Sequence, residues 1–386
     1  LPIMLRRQPT LLLAAFLRLL RRALADDELL LTRRVNTSVL RDDEFEAELR
    51  AAAPRGEHAA NGTHIAVVIP TCTTKCPADL ARLQAALARW SEQQHVPCRA
   101  AAPGVGPAAR LPDTSSCEMA PVTDGTYSAH SPPAFNAHLL IYMDVAATLV
   151  ERQIRQTLSS GRALPCFRGL SFASARLAPS DNTYPRAPNL MFYKLVLHMV
   201  RVGAFHYFLV LEADVTPLRP DWLPNLAAHL PPRAARFWVK GSTGRGMTAC
   251  AECRHINGNA LYHGRDGEFG GLIERLHTSQ AKFEEKKHSR RIGFDAALHY
   301  TLLLRSGALS ARLRRESSHL YAYSDFIVDH YAPISLDDAL RAYPCALLLH
   351  PNRSSAAADL EHRPGGAKHN LFAKAPPRHG GPQGGA

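Results

Sequence analysis

The sequence predicts an α/β protein with a mostly parallel, doubly wound sheet flanked by helices. Three apolar runs, Ile65–Ile69, His138–Met143 and Tyr207–Leu211, have the length and the β-branched or aromatic content of buried strands. Helical patterns separate them, and strand–helix–strand alternation favours parallel strands joined by right-handed crossovers. The chain has 386 residues, of which 46% are apolar and 21% charged, as is typical of a globular protein with a sizeable core.

The intervening segments alternate helix and strand. Pro77 can begin a helix whose apolar residues fall on one face: Leu80, Leu83, Leu87 and Trp90. A helix is predicted over Val145–Leu158 and a third strand over Phe167–Arg176. A longer helix, Asn189–Val202, ends before Gly203 and leads into the Tyr207–Leu211 strand.

The composition divides the chain into three parts. The apolar stretch Leu11–Leu20 lies between arginine pairs, but it contains Arg18 and is shorter than the roughly 20 residues of a spanning helix. It resembles the apolar region of a signal peptide, a signal-anchor or an amphipathic basic helix. We predict an anchor-like segment and stem over residues 1–60, one globular domain over 61–355 and a flexible tail over 356–386.

The net charge of +12 indicates an anionic partner, such as nucleotide phosphates, an acidic glycan or a membrane surface. A mostly solvated basic surface is the alternative interpretation. No run combines aromatic and basic residues in the manner of a nucleic-acid-binding motif, so we expect no nucleic-acid partner.

Cysteine content and glycosylation acceptors favour an oxidising compartment. The chain has eight cysteines, an even number, and three Asn-x-Ser/Thr triplets, which begin at Asn36, Asn61 and Asn352. A long Pro/Gly/Ala/Ser-rich insertion, residues 98–133, is expected to be closed by Cys98 and Cys117. The Cys250-x-x-Cys253 pair lacks a second half-site of the same spacing, so disulfides or buried thiols are favoured over zinc.

Two acids follow the Tyr207–Leu211 strand directly, Glu212 and Asp214. Residues i and i+2 of an extended chain point to the same side, so both carboxylates leave the strand together. Open α/β sheets bind ligands at the carboxyl ends of their strands, and a cation is the natural partner of two adjacent carboxylates there. Two solvated acids at a strand end are the alternative.

An acidic pair that ends a hydrophobic strand resembles the D-x-D site of nucleotide-sugar glycosyltransferases with the GT-A fold, here with Glu in the first position. The resemblance implies a GT-A-like catalytic domain and a divalent cation, Mn²⁺ or Mg²⁺, held by Glu212 and Asp214. The Ile-Pro-Thr turn at Thr71 is similar to the nucleotide-contacting first strand of these enzymes. Thr71, and Asp144 after the second strand, are therefore assigned to the donor nucleotide.

Two later motifs extend the resemblance to a group of GT-A-type enzymes found in algae and related organisms. Phe237–Ser242 (FWVKGS) is followed by His255–Tyr262 (HINGNALY). The resemblance implies that Lys240 or Arg245 assists on the phosphates, with surface charge as the alternative. It also implies substrate contacts from three side chains: Trp238, Asn257 and Asn259. An Asn-Gly hairpin turn is the alternative for the second motif.

The last candidates lie near the carboxyl end of the domain. Asp295 opens a predicted helix, Ala296–Leu304, and is either a helix-capping acid or the acceptor-side acid of a GT-A enzyme. His350 ends the apolar run that begins at Ala346 and fits a histidine that returns to the metal. His362, in an H-x-x-G-x-x-K sequence, is its rival.

The sequence therefore predicts a metal-dependent glycosyltransferase that uses a nucleotide sugar, with UDP-sugars favoured, and a glycan, protein or lipid acceptor. The expected location is the lumen of the Golgi or endoplasmic reticulum, with type II anchorage as an option. The alternatives are a non-catalytic sugar- or nucleotide-binding protein on a degenerate transferase fold and a nucleotidyltransferase. The absence of glycine from Pro70–Lys75 counts against the last of these.

Overall fold

A computed structural model gives the fold of most of the globular domain. It describes residues 42–52, 63–74, 77–92, 95–98, 135–159, 161, 163–184, 186–227, 229–230, 236–246, 255–286, 293–299, 301–302 and 317–351. Leu11–Leu20, Cys117, the Cys250–Cys253 pair, His362 and the 356–386 tail lie outside these residues. Within the described part, no helix combines the length and apolar character needed to cross a membrane.

The main sheet has seven strands among the described residues. In spatial order they are β3 (Leu170–Ser174), β2 (Phe135–Met143), β1 (Thr63–Thr71), β4 (Tyr207–Val210), β8 (Leu261–His263), β6 (Val239–Gly241) and β9 (Tyr321–Tyr323). Four neighbouring pairs are parallel, and β8 runs antiparallel to both β4 and β6. The predicted mostly parallel sheet is confirmed.

A smaller sheet packs beside the main one. Its described strands are, in spatial order, β5 (Thr216–Pro217), β11 (Leu348–Pro351), β10 (Ile327–His330) and β7 (Gly244–Arg245). The β10–β11 pairing is parallel and places Asp329 beside His350. β5 follows β4 by only a few residues, so the small sheet begins at the carboxyl edge of the main sheet.

Helices cover both faces of the main sheet. They are α1 (Asp43–Ala52), α2 (Pro77–Arg89), α3 (Thr148–Ser159), α4 (Arg186–Val202), α5 (Trp222–Ala227), α6 (Gly267–Lys286), α7 (Phe294–His299) and α8 (Leu336–Ala342). Alternation along β1 divides the core: Ala66 and Val68 pack toward α1, α4 and α6, whereas Ile65 and Val67 pack toward α2, α3 and α5. This two-sided burial explains why the strands are continuous apolar runs.

Helix α1 corrects the predicted domain boundary. It lies within the segment assigned to the stem, yet Phe45 and Leu49 are fully buried in the core. Glu46 on the same helix accepts a 2.5 Å hydrogen bond from Arg201 of α4 and lies 3.2 Å from His198. The globular domain therefore begins before residue 61, with α1 packed on α4 and β3.

The disulfide pairing also differs from the expectation. Cys98 is bonded to Cys166, with 5.5 Å between the Cα atoms, and not to Cys117. Trp90, at the end of α2, stacks on Phe167 with ring centroids 6.1 Å apart. This packing brings the chain after α2 next to the turn that precedes β3, which is where the two cysteines meet.

Candidate metal centre and active site

The candidate site lies at the point where the strand order of the main sheet reverses. From β1 the chain adds β2 and β3 on one side, and β4 then pairs with the other side of β1. Crossovers leave in opposite directions from such a point, so a crevice opens at the carboxyl ends of the two strands. The residues after β1 and β4 line this crevice.

Glu212 and Asp214 follow β4 as the sequence predicted. The backbone remains paired until Leu211, whose amide donates to Val68 of β1 over 2.9 Å. The chain then turns, and the amide of Val215 donates to the carbonyl of Glu212. The Asp214 side chain is 14% exposed and that of Glu212 is 39% exposed, so both carboxylates reach the crevice from a fixed turn.

His350 joins the two acids from the small sheet. Its Nε2 atom lies 3.2 Å from Oε2 of Glu212 and 3.4 Å from Oδ1 of Asp214. The other ring nitrogen, Nδ1, lies 2.7 Å from Oδ1 of Asp329. Residues separated by more than a hundred positions therefore converge, and the predicted association of His350 with Glu212 and Asp214 is present.

The three side chains fit a divalent cation. One ligand atom from each lies within 4.8 Å of the others. Neighbouring ligands of an octahedral ion with bonds of about 2.1 Å are about 3 Å apart, close to the contacts of His350 with the two acids. Within the described part of the chain, Nε2 of His350 and one oxygen of each acid therefore lie close enough together to share one ion.

The charges of His350 and the neighbouring acids also favour a bound cation. Burial lowers the pKa of His350, but its contacts with Asp214, Asp329 and Glu212 outweigh burial and raise the pKa to about 12. The acids therefore hold a positive charge between them when no ion is bound. A divalent cation can replace the proton. The two carboxylates suit Mn²⁺ or Mg²⁺, whereas imidazole is a more usual ligand of later transition metals.

Asp329 was missed at the sequence level. It is 4% exposed at its side chain, and its backbone amide donates to Oγ of Ser242. The run Ile327–His330 is a short strand with an acid inside it, which is unusual for an apolar core. That pattern could have identified a functional carboxylate, although it could not have identified His350 as the partner.

The HINGNALY motif is hydrogen-bonded to the backbone of the acid pair. Oδ1 of Asn259 accepts a 2.6 Å hydrogen bond from the amide of Glu212. Oδ1 of Asn257 in turn accepts from the amide and the side-chain nitrogen of Asn259. Asn259 is 1% exposed, so this buried position differs from the predicted sugar contact, whereas Asn257 is only half-buried.

Trp238, Lys240 and Arg245 occupy other environments. Trp238 is 2% exposed and its Nε1 donates to Asp266, so its core position differs from the predicted substrate contact. The ammonium of Lys240 donates to the carbonyl of His229, and burial lowers its pKa to about 8. Arg245 forms an exposed ion pair with Asp325. The contacts described for these three side chains are thus with Asp266, the His229 backbone and Asp325.

Thr71 and Asp144 organise the loop after β1. Thr71 is 3% exposed, and its carbonyl accepts from the amide of Asp144. Burial raises the pKa of Asp144, but hydrogen bonds from Thr73, Asn182 and Thr74 outweigh burial and hold it below the ordinary value. The predicted donor contacts are therefore inward-facing, and Asp144 acts on the loop that borders the crevice.

Asp295 lies at the start of α7, packed against the HINGNALY segment. Its Oδ1 accepts from the amide of the next residue, Ala296, within the first turn of the helix, whereas an N-cap side chain accepts from an amide two or three residues further on. Its Oδ2 lies 3.3 Å from Nε2 of His255, and the Asp295 side chain is 20% exposed. Burial, and then the charge of Asp295, raises the pKa of the Tyr262 hydroxyl. Asp295 is therefore linked to the HINGNALY segment, whose Asn259 binds the Glu212 backbone.

Comparisons with known proteins place this chain in no family. No family model and no curated protein matches the sequence. Among solved structures, the chain is similar to an active-site mutant of LgtC, with a TM-score of 0.37 and 11% identity over 74% of this chain and 86% of that one. It is also similar to the galactosyltransferase LgtC in complex with donor and acceptor sugar analogues, with a TM-score of 0.35, 13% identity and the same coverage of 74% and 86%. Similarities this low assign neither an activity nor a residue role to this chain.

Proposed function

We propose that this protein is a metal-dependent glycosyltransferase that transfers a sugar from a nucleotide-sugar donor to a glycan, protein or lipid acceptor. The observation that carries the proposal is the convergence of Glu212, Asp214 and His350 at the switch point of a mostly parallel sheet. Two carboxylates and an imidazole in a crevice between β1 and β4 suit a cation that also contacts a diphosphate.

The residues of the chain take distinct roles in this proposal. Asp214, the less exposed acid, holds the ion most directly, and Glu212 and His350 complete the protein ligands. A bound Mn²⁺ or Mg²⁺ would neutralise charge on the nucleoside diphosphate that leaves. The loop held by Asp144 borders the donor side of the crevice, since it follows β1 and β2 at the same sheet edge.

Asp295 is the proposed acceptor-side acid. In an inverting reaction its carboxylate would accept the proton of the acceptor hydroxyl, and in a retaining reaction it would stabilise positive charge at the anomeric carbon. Its partial exposure and its contact with His255 leave a carboxylate that is both oriented and accessible. The UDP-sugar donors favoured by the sequence remain the first choice for testing.

A product analysis tests the proposed activity. The purified protein is incubated with a panel of UDP-sugars, Mn²⁺ and a mixed acceptor panel, and products are identified by mass spectrometry with the anomeric configuration read by NMR. Asp214→Ala serves as the inactive control. Nucleotide release coupled to a new glycosidic bond in the wild type alone supports the proposal. Nucleotide binding without any transfer across the panels would favour a non-catalytic binding protein.

We further propose a lumenal location in the secretory pathway, with the N-terminal segment as a signal-anchor. The Cys98–Cys166 disulfide supports it, as do the Asn36, Asn61 and Asn352 acceptor triplets. The test is the electrophoretic mobility of the expressed protein before and after endoglycosidase treatment. A downward shift supports this location. The absence of a shift, together with reduced thiols under non-reducing conditions, would exclude it.

A further inference from the structure

A circuit of polar contacts runs behind the candidate metal site and begins and ends on two of its ligands. From His350 it passes to Asp329 over 2.7 Å. The Tyr331 hydroxyl interacts with the side chains of both Asp329 and Asn257. Asn257 holds Asn259, and Asn259 returns to the amide of Glu212 over 2.6 Å. Its members come from β10, β11, the chain after β4 and the HINGNALY segment, so tertiary structure alone assembles the circuit.

The Asp329 contact determines which nitrogen of His350 faces the acids. A carboxylate only accepts hydrogen bonds, so it requires a proton on Nδ1 of the imidazole. In the neutral ring, Nε2 then carries the lone pair, and Nε2 is the atom that faces Glu212 and Asp214. Strand pairing fixes this arrangement, because Asp329 and His350 are direct partners in the parallel β10–β11 register. Asp329 is itself held by Ser242, whose hydroxyl accepts from its amide.

At the Glu212 end of the circuit, Asn259 holds the backbone of the acid. The amide of Glu212 would otherwise have to find a partner where β4 leaves the sheet, and Asn259 supplies one from a position that is 1% exposed. Ser242 links the two halves a second time, since its carbonyl accepts from the amide of Asn257 over 3.2 Å. The acid turn and the histidine are therefore held by one connected set of contacts.

We propose that Asp329 is a positioning residue for the metal-binding triad, acting through His350, and that Asn259 has the same function through the Glu212 backbone. The inference rests on the proposed function, since it assumes that the triad binds a divalent cation. Under this inference the asparagines of the HINGNALY motif shape the cation site from within the protein. Their amide groups have partners in the chain itself, with Tyr331 joining the two ends.

This inference is tested by measuring the Mn²⁺ affinity of the full chain and its variants. Calorimetry and the paramagnetic resonance signal of free Mn²⁺ both report this affinity. Asp329→Ala removes the acceptor that orients His350 and is expected to weaken Mn²⁺ binding by roughly 10–100-fold. Asp329→Asn retains an acceptor oxygen and is expected to recover a large part of that loss. Asp337→Ala, the same change at an exposed position of α8, should stay within about twofold of wild type. Thermal unfolding of each variant separates metal affinity from folding.

The coupling between the two ends is tested by adding Asn259→Ala and the Asp329→Ala/Asn259→Ala pair. If one circuit holds both ligands, the loss in the double variant is smaller than the product of the two single losses. A wild type that binds Mn²⁺ while Asp329→Ala and Asp329→Asn bind it equally well overturns this inference and leaves the proposed function standing. A wild type that binds neither Mn²⁺ nor Mg²⁺, alone or with UDP, overturns both.

Discussion

His138 makes the stability of this protein depend on pH in a way that the structure quantifies. It lies in β2, 9% exposed, with Nε2 2.9 Å from Oγ of Ser171. Burial lowers the pKa of its imidazole from 6.5 to about 4. Between about pH 6.5 and pH 4, His138 is therefore protonated in the unfolded chain but neutral in the folded chain. For this reason the free energy of unfolding falls as the pH falls through that range.

The size of the effect follows from the two pKa values. With 6.5 in the unfolded state and about 4 in the folded state, this single histidine lowers the free energy of unfolding by about 2 kcal/mol between pH 7 and pH 5. His138→Gln keeps a side chain that can bond Ser171 but cannot gain the proton. The variant should therefore lose about 2 kcal/mol less than the wild type over the same interval.

Urea unfolding at pH 7 and pH 5 measures this difference. The other buried histidines contribute equally to both proteins, so the comparison isolates His138. His319→Gln, at an exposed position, is the matched control and should follow the wild type at both values. Equal losses for wild type and His138→Gln would refute the assignment of a buried, neutral imidazole to β2.

Two further predictions concern the core and the acceptor side. Leu49→Ala should lower the free energy of unfolding by roughly 2–5 kcal/mol, because Leu49 is fully buried. The control Asp43→Asn, on the exposed side of α1, should change it by less than about 0.5 kcal/mol. Equal, small effects of both variants in denaturant titrations would show that α1 is not part of the folded core. Asp295→Asn should lower turnover by roughly 10²–10⁴-fold while donor affinity stays near wild type if, as proposed, Asp295 accepts the proton of the acceptor hydroxyl. Steady-state kinetics with separate donor-binding measurements check this, and loss of donor affinity with turnover retained would move Asp295 to the donor side.

Strands and their terminal residues were predictable because the signals are local. Continuous apolar runs indicated β1, β2 and β4 since those strands are buried on both faces. Glu212 and Asp214 stood out because two acids directly follow such a run, and His350 because it ends another. Because β11 lies in the small sheet and β4 in the main sheet, strand order could not link His350 to the acids. The resemblance to GT-A enzymes, which bring a late histidine back to the metal, supplied that link.

The remaining features depend on pairing between distant segments. Asp329 contacts His350 through the β10–β11 register, and Asn259 contacts Glu212 from 47 positions away. No local sequence pattern predicts either contact. The asparagine motif was recognised as unusual, but its amides were assigned to sugar because their partners in the protein were unknown. Trp238 was misplaced for a similar reason, since its core partner Asp266 lies 28 positions further along the chain. Helix α1 was assigned to the stem because a charged, Ala-rich sequence reveals its buried face only after α4 is in place.

In the proposed function, Glu212, Asp214 and His350 hold a cation on which donor binding depends. Calorimetric titration of UDP-sugars into the wild type with Mn²⁺, and again after addition of a chelator, measures this dependence, with Asp214→Ala titrated alongside. We expect donor binding with Mn²⁺, its loss with chelator, and its loss in a folded Asp214→Ala variant even when Mn²⁺ is present. Equal donor affinity with and without the cation, or wild-type behaviour of Asp214→Ala, would show that the triad holds no such cation.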